Sequence, residues 1–402
     1  MTRSHRASEP RVVVLEGDPA QIGLAHGQLL GREIHTLLQQ LEHHIFRKLG
    51  PIQGTSLRIA AGALSLAMHR HIPTELKAEM GAIAQGSGTP YSDLLLLNTL
   101  DDVLNILRRL TPRTPKLGCS SFALLGARSW DGSLLHGRNL DYHFRGTPLE
   151  DHGAVARIMA ARSILFVHRP RGRAAFVSVG WPGLVGVTTA INEEALSLGN
   201  LTSYLRSATP NGTPSAILYR RMMEETSSIS EAGALLRSAR RTMGNNLMVG
   251  SGRENSAALF EITPGVVVEV PPEDGALVAT NHFLSPALAA RQQPYLQPHS
   301  VARWKRLRAL CNRYRVTLKE ALTFLADTGY EEEYATLASA RVANQGTAVS
   351  VLFQPAEMRL WLGMAEKPPT SQEYRAIDAR ALLTQRPEGR LEITPGSPKP
   401  RT

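Results

Sequence analysis

The chain reads as an α+β protein in which two antiparallel sheets lie face to face with helices outside. Three observations predict this. Apolar residues recur at three- and four-residue steps between about 19 and 110. From residue 119 the period changes to two. Beyond that point, strand runs are split by pairs of helical segments. At 402 residues, 43% apolar and 20% charged, the chain has the composition of a soluble globular protein with a sizeable core, in one large domain or a few ordinary ones.

The first helix is expected over Ala20–Lys48, with Ile22, Ala25, Leu29, Ile34, Leu37, Leu41 and Ile45 on one face. Asp18 and Pro19 supply the N-cap and the first-turn proline. Further helices are expected near 55–70, 74–86 and 91–109, punctuated by Pro73 and Pro90. A loop over Arg109–Gly118, with Pro112 and Pro115, leads to Cys119. Asp131-Gly132 predicts a hairpin between 121–125 and 134–138, and a second hairpin joins 164–167 to 174–179. Strands follow at 184–189 and 195–198, and helices at 214–225 and 230–240. Strands return at 247–249, 257–262, 266–270 and 276–279. Helices at 301–313 and 317–328 precede a strand pair at 347–353 and 358–362. Residues 1–10 and 395–402 read as frayed ends.

Composition narrows the function classes. The net charge of +10 favours anionic partners, but seven lysines among 45 basic residues leave scattered arginines rather than a basic stripe, and aromatics are 5%. No nucleic-acid partner is expected. The polar N-terminus lacks the apolar stretch of a secretory signal, no run is long enough for a membrane helix, and two cysteines make no disulfide framework. The expectation is a cytoplasmic protein with no membrane association. His69, Arg70 and His71 before a proline, and His43-His44, lack partners for a metal site, so neither metal nor cofactor is expected. Glu331–Glu333 reads as a solvated loop and Cys311 as a core residue.

Cys119 is the chemically informative residue. It follows Gly118 and precedes, across one hairpin, Gly137-Arg138-Asn139-Leu140-Asp141. A thiol nucleophile needs a base, and an α-amine titrates near 7.7–8, so scission of the Gly118–Cys119 bond would place both on one residue. Asp141 would accept from the resulting ammonium, and Arg138 would favour the thiolate. The alternatives are an inert buried cysteine, and a solvated Arg138–Asp141 pair at a strand end.

Gly118-Cys119-Ser120-Ser121, Asp131-Gly132 and Gly137–Asp141 together resemble the cysteine N-terminal-nucleophile (Ntn) hydrolases. More narrowly they resemble the isopenicillin N acyltransferase-type autoproteolytic peptidases, with bile salt hydrolases as distant relatives. Further strings follow in the same order: Gly17-Asp18-Pro19 with Gly23, His26 and Gly27; Gly81–Ala84 through Asn98 and Asp101; Trp181–Leu184 with Ile191-Asn192-Glu193; Asn246–Val249 with Phe260-Glu261; Thr280–Phe283; and Ser300–Arg303.

The resemblance implies a four-layer αββα Ntn-hydrolase sandwich. It implies a helical segment 1–118 and a catalytic segment 119–402, separated by self-cleavage and packed as one unit. Cys119 is then the nucleophile, Asp141 holds its amine, and Arg138 is carried over from the bile-salt-hydrolase form. Asn246 serves the oxyanion hole through its side-chain amide, with Asn200 as a second candidate. Arg303 holds the catalytic end. The implied activity is that of a penicillin acyltransferase-like amidohydrolase or N-acyltransferase acting on a small-molecule amide or acyl donor. Asn281 and His282 offer an alternative, in which His282 serves Cys119 as base without self-cleavage. A catalytically silent binding protein on the same scaffold is the third reading.

Overall fold

The computed structural model describes residues 10–107, 116–143, 154–292, 297–329, 341–363, 373–385 and 392–393. The terminal tails and Glu331–Glu333 lie outside these, as does most of the loop expected before Cys119. The four N-terminal helices form as predicted: α1 (Pro19–Ile45), α2 (Pro51–His69), α3 (Thr74–Ser87) and α4 (Tyr91–Leu107). Asp18 caps α1, accepting from the Gln21 N–H at 3.0 Å while the Gln21 side chain accepts from the Asp18 N–H. Glycines on α1 allow α3 to approach: a Cβ at Gly23 would lie 2.2 Å from the Glu79 carbonyl oxygen.

Several features differ from the sequence expectation. A short run of valines before Asp18 forms β1 (Val12–Gly17), which pairs in parallel with β4 (Ile164–Pro170), so the large sheet is not wholly antiparallel. The long helical excursion between these strands supplies the crossover that a parallel pair requires. The stretch 184–189 is not a strand until Thr189. The Asn98 side chain takes the N–H groups of Val185 (2.7 Å) and Gly186 (3.1 Å), satisfying backbone that would otherwise enter a ladder. A helix, α5 (Ala154–Ala161), also forms where none was expected.

The remaining elements are β2 (Lys116–Leu124), β3 (Leu135–His143), β5 (Phe176–Gly180), β6 (Thr189–Asn192), β7 (Leu196–Thr202), α6 (Ser215–Glu225), α7 (Ile229–Ser238), β8 (Asn245–Ser251), β9 (Ser256–Ile262), β10 (Val267–Val270), β11 (Ala276–Ala279), α8 (Pro286–Ala289), α9 (Gln297–Cys311), α10 (Leu318–Leu325), β12 (Thr347–Gln354), β13 (Arg359–Gly363), β14 (Arg375–Asp378), α11 (Ala379–Thr384) and β15 (Glu392–Ile393). Among the described residues the strands make two sheets, ordered β10-β9-β8-β7-β6-β5-β4-β1-β15 and β11-β2-β3-β12-β13-β14.

The two sheets pack face to face with helices outside, giving four layers. Alternation along β2 makes this explicit. Cys119 and Ala123 enter the core between the sheets with Leu201 and Met248, whereas Phe122 and Leu124 meet Leu307 of α9 and Phe324 of α10. On the far side, Leu218 and Met222 of α6 cover Leu198 and Val249 of the large sheet. No described helix is long and apolar enough to cross a membrane.

Candidate active site

Cys119 lies within β2, not at its start, because the strand begins at Lys116; Gly118 pairs with Asp141 and Cys119 with Leu140. Its side chain is buried and both its backbone polar groups are claimed by side chains. The N–H donates to Asn281 Oδ1 at 2.7 Å, and the carbonyl accepts from Arg303 Nη1. Arg303 also donates to Ser120 Oγ (3.0 Å) and, through Nη2, to Asn281 Oδ1 (2.8 Å). Asn281 is oriented in turn by donating from Nδ2 to the Thr202 carbonyl at 2.8 Å, which ties this cluster to the large sheet.

Arg138 and Asp141, three residues apart, leave β3 on opposite faces and take separate partners. Arg138 crosses the sheet interface to Thr189 Oγ1 and to Asn200, at 2.5 Å to its carbonyl and 3.1 Å to Oδ1. Gly199 makes room, since a Cβ there would sit 2.5 Å from Arg138 Cδ. Asp141 accepts from Asn344 Nδ2 and Thr347 Oγ1, each at 2.8 Å. Both side chains are buried, so they are not a solvated surface pair.

Burial raises the Cys119 thiol above its ordinary value. The charges of Arg138 and Arg303 act the other way, as does a hydrogen bond from the Asp141 backbone, while the Asp141 carboxylate adds to the rise. Burial also lifts Asp141 to about 6 against the pull of Arg303.

The asparagines divide unexpectedly. Asn246 donates from Nδ2 to the carbonyls of Thr280 (2.9 Å) and His282 (2.6 Å), so its amide braces the turn that carries Asn281. Asn245 donates to Ser215 Oγ at 3.0 Å. Asn200 lines a cavity, and among the described residues nothing accepts from its Nδ2. His282 shares hydrogen bonds with Thr280 Oγ1 (3.0 Å) and Ser300 Oγ (2.8 Å), and among the described residues none joins it to Cys119. Burial and Arg303 lower it to about 4.

The cavity beside Asn200 spans about 50 Å³ between α1, α4 and the two sheets. Its lining includes the apolar Leu41, Ile45, Leu97, Met159 and Trp181 and the polar Asp101, Asp102, Tyr142 and Thr188. Asn344, Thr347, Tyr142 and Thr189 were not singled out from sequence. Their signal was positional: Thr347 opens the strand expected to pair near the end, and Tyr142 directly follows Asp141. His69 and His71 bond Tyr91 and Asn211, each at 3.0 Å, and no group of three metal-ligating side chains occurs among the described residues.

The sequence profile of the acyl-coenzyme A:6-aminopenicillanic acid acyl-transferase family matches residues 132–368, more than half of the chain. The chain belongs to that family. The matched span contains Arg138, Asp141, Asn200, Asn246, Asn281 and Arg303, and begins after Cys119. An uncharacterized protein of Archaeoglobus fulgidus is 22% identical over 397 residues, covering 86% of this chain and 62% of the relative. Protein dcd1B of Dictyostelium discoideum is 23% identical over 281 residues, covering 65% of this chain and 52% of that protein. The chain thus spans little more than half the length of these curated relatives. Among solved structures, the Caenorhabditis elegans N-acylethanolamine-hydrolyzing acid amidase ortholog aligns with 17% identity and a TM-score of 0.44, covering 59% of this chain and 93% of that one.

Proposed function

We propose that this chain is the precursor of a self-cleaving cysteine amidohydrolase or N-acyltransferase whose nucleophile and base both belong to Cys119. The observation that carries the reading is the pair of side-chain contacts on that residue's backbone, Asn281 on its nitrogen and Arg303 on its carbonyl. A strand-interior residue ordinarily satisfies these groups through the ladder.

In the first stage the Cys119 sulfur attacks the Gly118 carbonyl carbon. The C–N bond breaks, the Cys119 nitrogen takes a proton to become the amine, and a thioester forms. Water then hydrolyses the thioester to leave a Gly118 carboxylate and a free thiol. In the second stage the amine, held by Asn281 Oδ1, accepts the thiol proton. The thiolate attacks the substrate carbonyl, and the uncommitted Asn200 Nδ2 faces the developing oxyanion. Water or an amine then takes the acyl group.

Segments 1–118 and 119–402 remain associated in this reading. Asp102 of α4 accepts from the Ser215 N–H (3.1 Å) and hydroxyl (3.0 Å) at the start of α6, and His26 of α1 accepts from the Gly183 N–H at 2.8 Å. Two unbridged, buried cysteines suit a reducing, cytoplasmic setting.

Intact-mass measurement of purified protein tests the proposal. The expected result is two fragments, one ending at Gly118 and one beginning at Cys119, with Cys119→Ala remaining uncut and inactive. Active wild-type protein with an unbroken 118–119 bond would falsify it.

A further inference from the structure

The Asp141 carboxylate is gripped from a turn more than two hundred residues further along the chain. Asn344 Nδ2 donates to its Oδ2 and Thr347 Oγ1 to its Oδ1, each at 2.8 Å, so one donor stands on each oxygen. The turn holds both donors in place. The Asn344 side-chain oxygen accepts from the Gly346 N–H at 2.8 Å, and its carbonyl from the Thr347 N–H at 3.1 Å. The Thr347 hydroxyl accepts from the Asn344 N–H at 3.3 Å, which leaves its own proton for the carboxylate. The Gly346 carbonyl accepts from the Tyr142 N–H at 2.7 Å, pinning the turn to the residue after Asp141.

The sheet is irregular at this point. β12 pairs with β3 at Val349–Leu140 and Thr347–Asp141, with one residue, Ala348, in excess. A regular ladder continued from Val349–Leu140 would set Ala348 opposite Asp141; the bulge sets a hydroxyl there instead. On its other side Asp141 pairs with Gly118, the residue ahead of Cys119, which brings no side chain of its own. Directly opposed residues lie roughly 5 Å apart at Cα, so Asp141 stands one strand spacing from the Gly118–Cys119 bond. By strand alternation it shares a face with Ser120, whose hydroxyl accepts from Arg303 at 3.0 Å.

When that bond breaks, the Cys119 nitrogen becomes an amine, which is an ammonium below its ordinary value of about 7.7–8. A fixed carboxylate nearby favours that charge. It does so only while ionised, and burial resists ionisation, lifting Asp141 to about 6. Two neutral donors stabilise the charged carboxylate without adding a cation that would compete with the amine. The charged and titratable groups that face Asp141 are Arg303 from α9, Arg138 on β3 and the Cys119 thiol on β2, while β12 and the turn before it contribute the neutral Thr347 and Asn344.

We propose that Asn344 and Thr347 are positioning residues that act through Asp141, holding its carboxylate charged and in place to balance the ammonium formed at Cys119. This rests on the reading of Cys119 as a self-cleaving N-terminal nucleophile and assigns two further residues to its machinery.

The test times scission at Gly118 in full-length chain. Precursor made by brief cell-free translation is diluted into buffers from about pH 5 to 9, and cleavage is followed by intact mass. Thr347→Val keeps the shape of the side chain and removes the hydroxyl; Thr347→Ser keeps the hydroxyl. Loss of a donor to the carboxylate raises Asp141, so the variant loses its ionised form at a higher pH than wild type does. The ratio of Thr347→Val to wild-type rates is therefore expected near one at about pH 9, falling to about one tenth by about pH 5. Taking the ratio cancels the thiol titration common to both chains. Thr347→Ser should stay within about threefold of wild type throughout. Asn344→Ala carries the same expectation as Thr347→Val and serves where that variant does not fold. A Thr347→Val ratio that is flat with pH, whether at one or below it, overturns the assignment, and so does a serine variant that behaves like the valine one. A wild-type chain that stays uncut at every pH overturns the Cys119 reading itself.

Discussion

Two clusters of buried charge lie on opposite faces of the large sheet and differ in what they converge on. One surrounds Cys119: Arg303, Asn281, Asp141 and Arg138 close on one residue's nitrogen, carbonyl and sulfur. The other surrounds Arg220 of α6. That guanidinium meets Glu224 at 2.6 Å, Glu79 at 3.4 Å and His168 at 3.3 Å, and stacks on the Phe176 ring at 4.7 Å. Both contain strongly shifted groups, and Glu79 and His26 each keep a buried atom without a hydrogen bond. The Arg220 cluster joins α1, α3, β4 and α6, all scaffold. Burial of charge alone therefore does not mark a candidate site; the first cluster differs in that its side chains converge on the backbone and thiol of one cysteine.

The comparison yields three predictions, in falling order of effect. Arg220→Met strands Glu79 and Glu224 in the interior, and chemical denaturation should show a loss of about 3–5 kcal/mol. Its folded fraction should still cleave at Gly118 at the wild-type rate. Slowed processing by the folded protein would mean that the two clusters are not independent.

Arg303→Met removes the donors on the Cys119 carbonyl and on Asn281. We expect kcat to fall on the order of a hundredfold to a thousandfold, the scale seen when a preorganised donor is lost. Near-normal turnover in this variant would move the reactive centre elsewhere.

The third prediction concerns pH. Burial raises Glu79 from 4.5 to about 7, opposed by Arg220 and reinforced by Glu224. Below 4.5 the group is protonated in folded and unfolded chains alike and costs nothing. Between 4.5 and 7 the unfolded chain loses its proton first, so wild-type stability falls as pH rises, and the cost levels off above 7. The stability difference between Glu79→Gln and wild type should therefore shift toward the variant by on the order of 3 kcal/mol across that window. A difference that stays flat between pH 4.5 and 7 would show that Glu79 keeps its ordinary titration in the fold.

The local sequence carried much of the architecture. Asp18-Pro19 started α1 where the capping chemistry required, and the switch to period two at Cys119 marked a strand that alternates between core and α9–α10. Strings of valine near the N-terminus and of alanine before Ile164 did not announce β1 and α5, because short apolar runs suit either structure until a neighbour selects one. Asn246 illustrates the same limit within the site. Its place before an apolar strand was visible, whereas the direction of its amide toward Thr280 and His282 depends on a turn more than thirty residues away.

The amino-acid order by itself determined that a cysteine follows a glycine at the helical-to-strand change, with an arginine and an aspartate one hairpin later. Hydrophobic period and turn chemistry act over a few residues and need no partner. Only the folded chain decided which amide meets the Cys119 nitrogen, that Arg138 reaches across Gly199 to the other sheet, and that Thr347 stands opposite Asp141. Those contacts join residues tens to hundreds of positions apart, and their geometry exists only once two sheets and their helices are packed against one another.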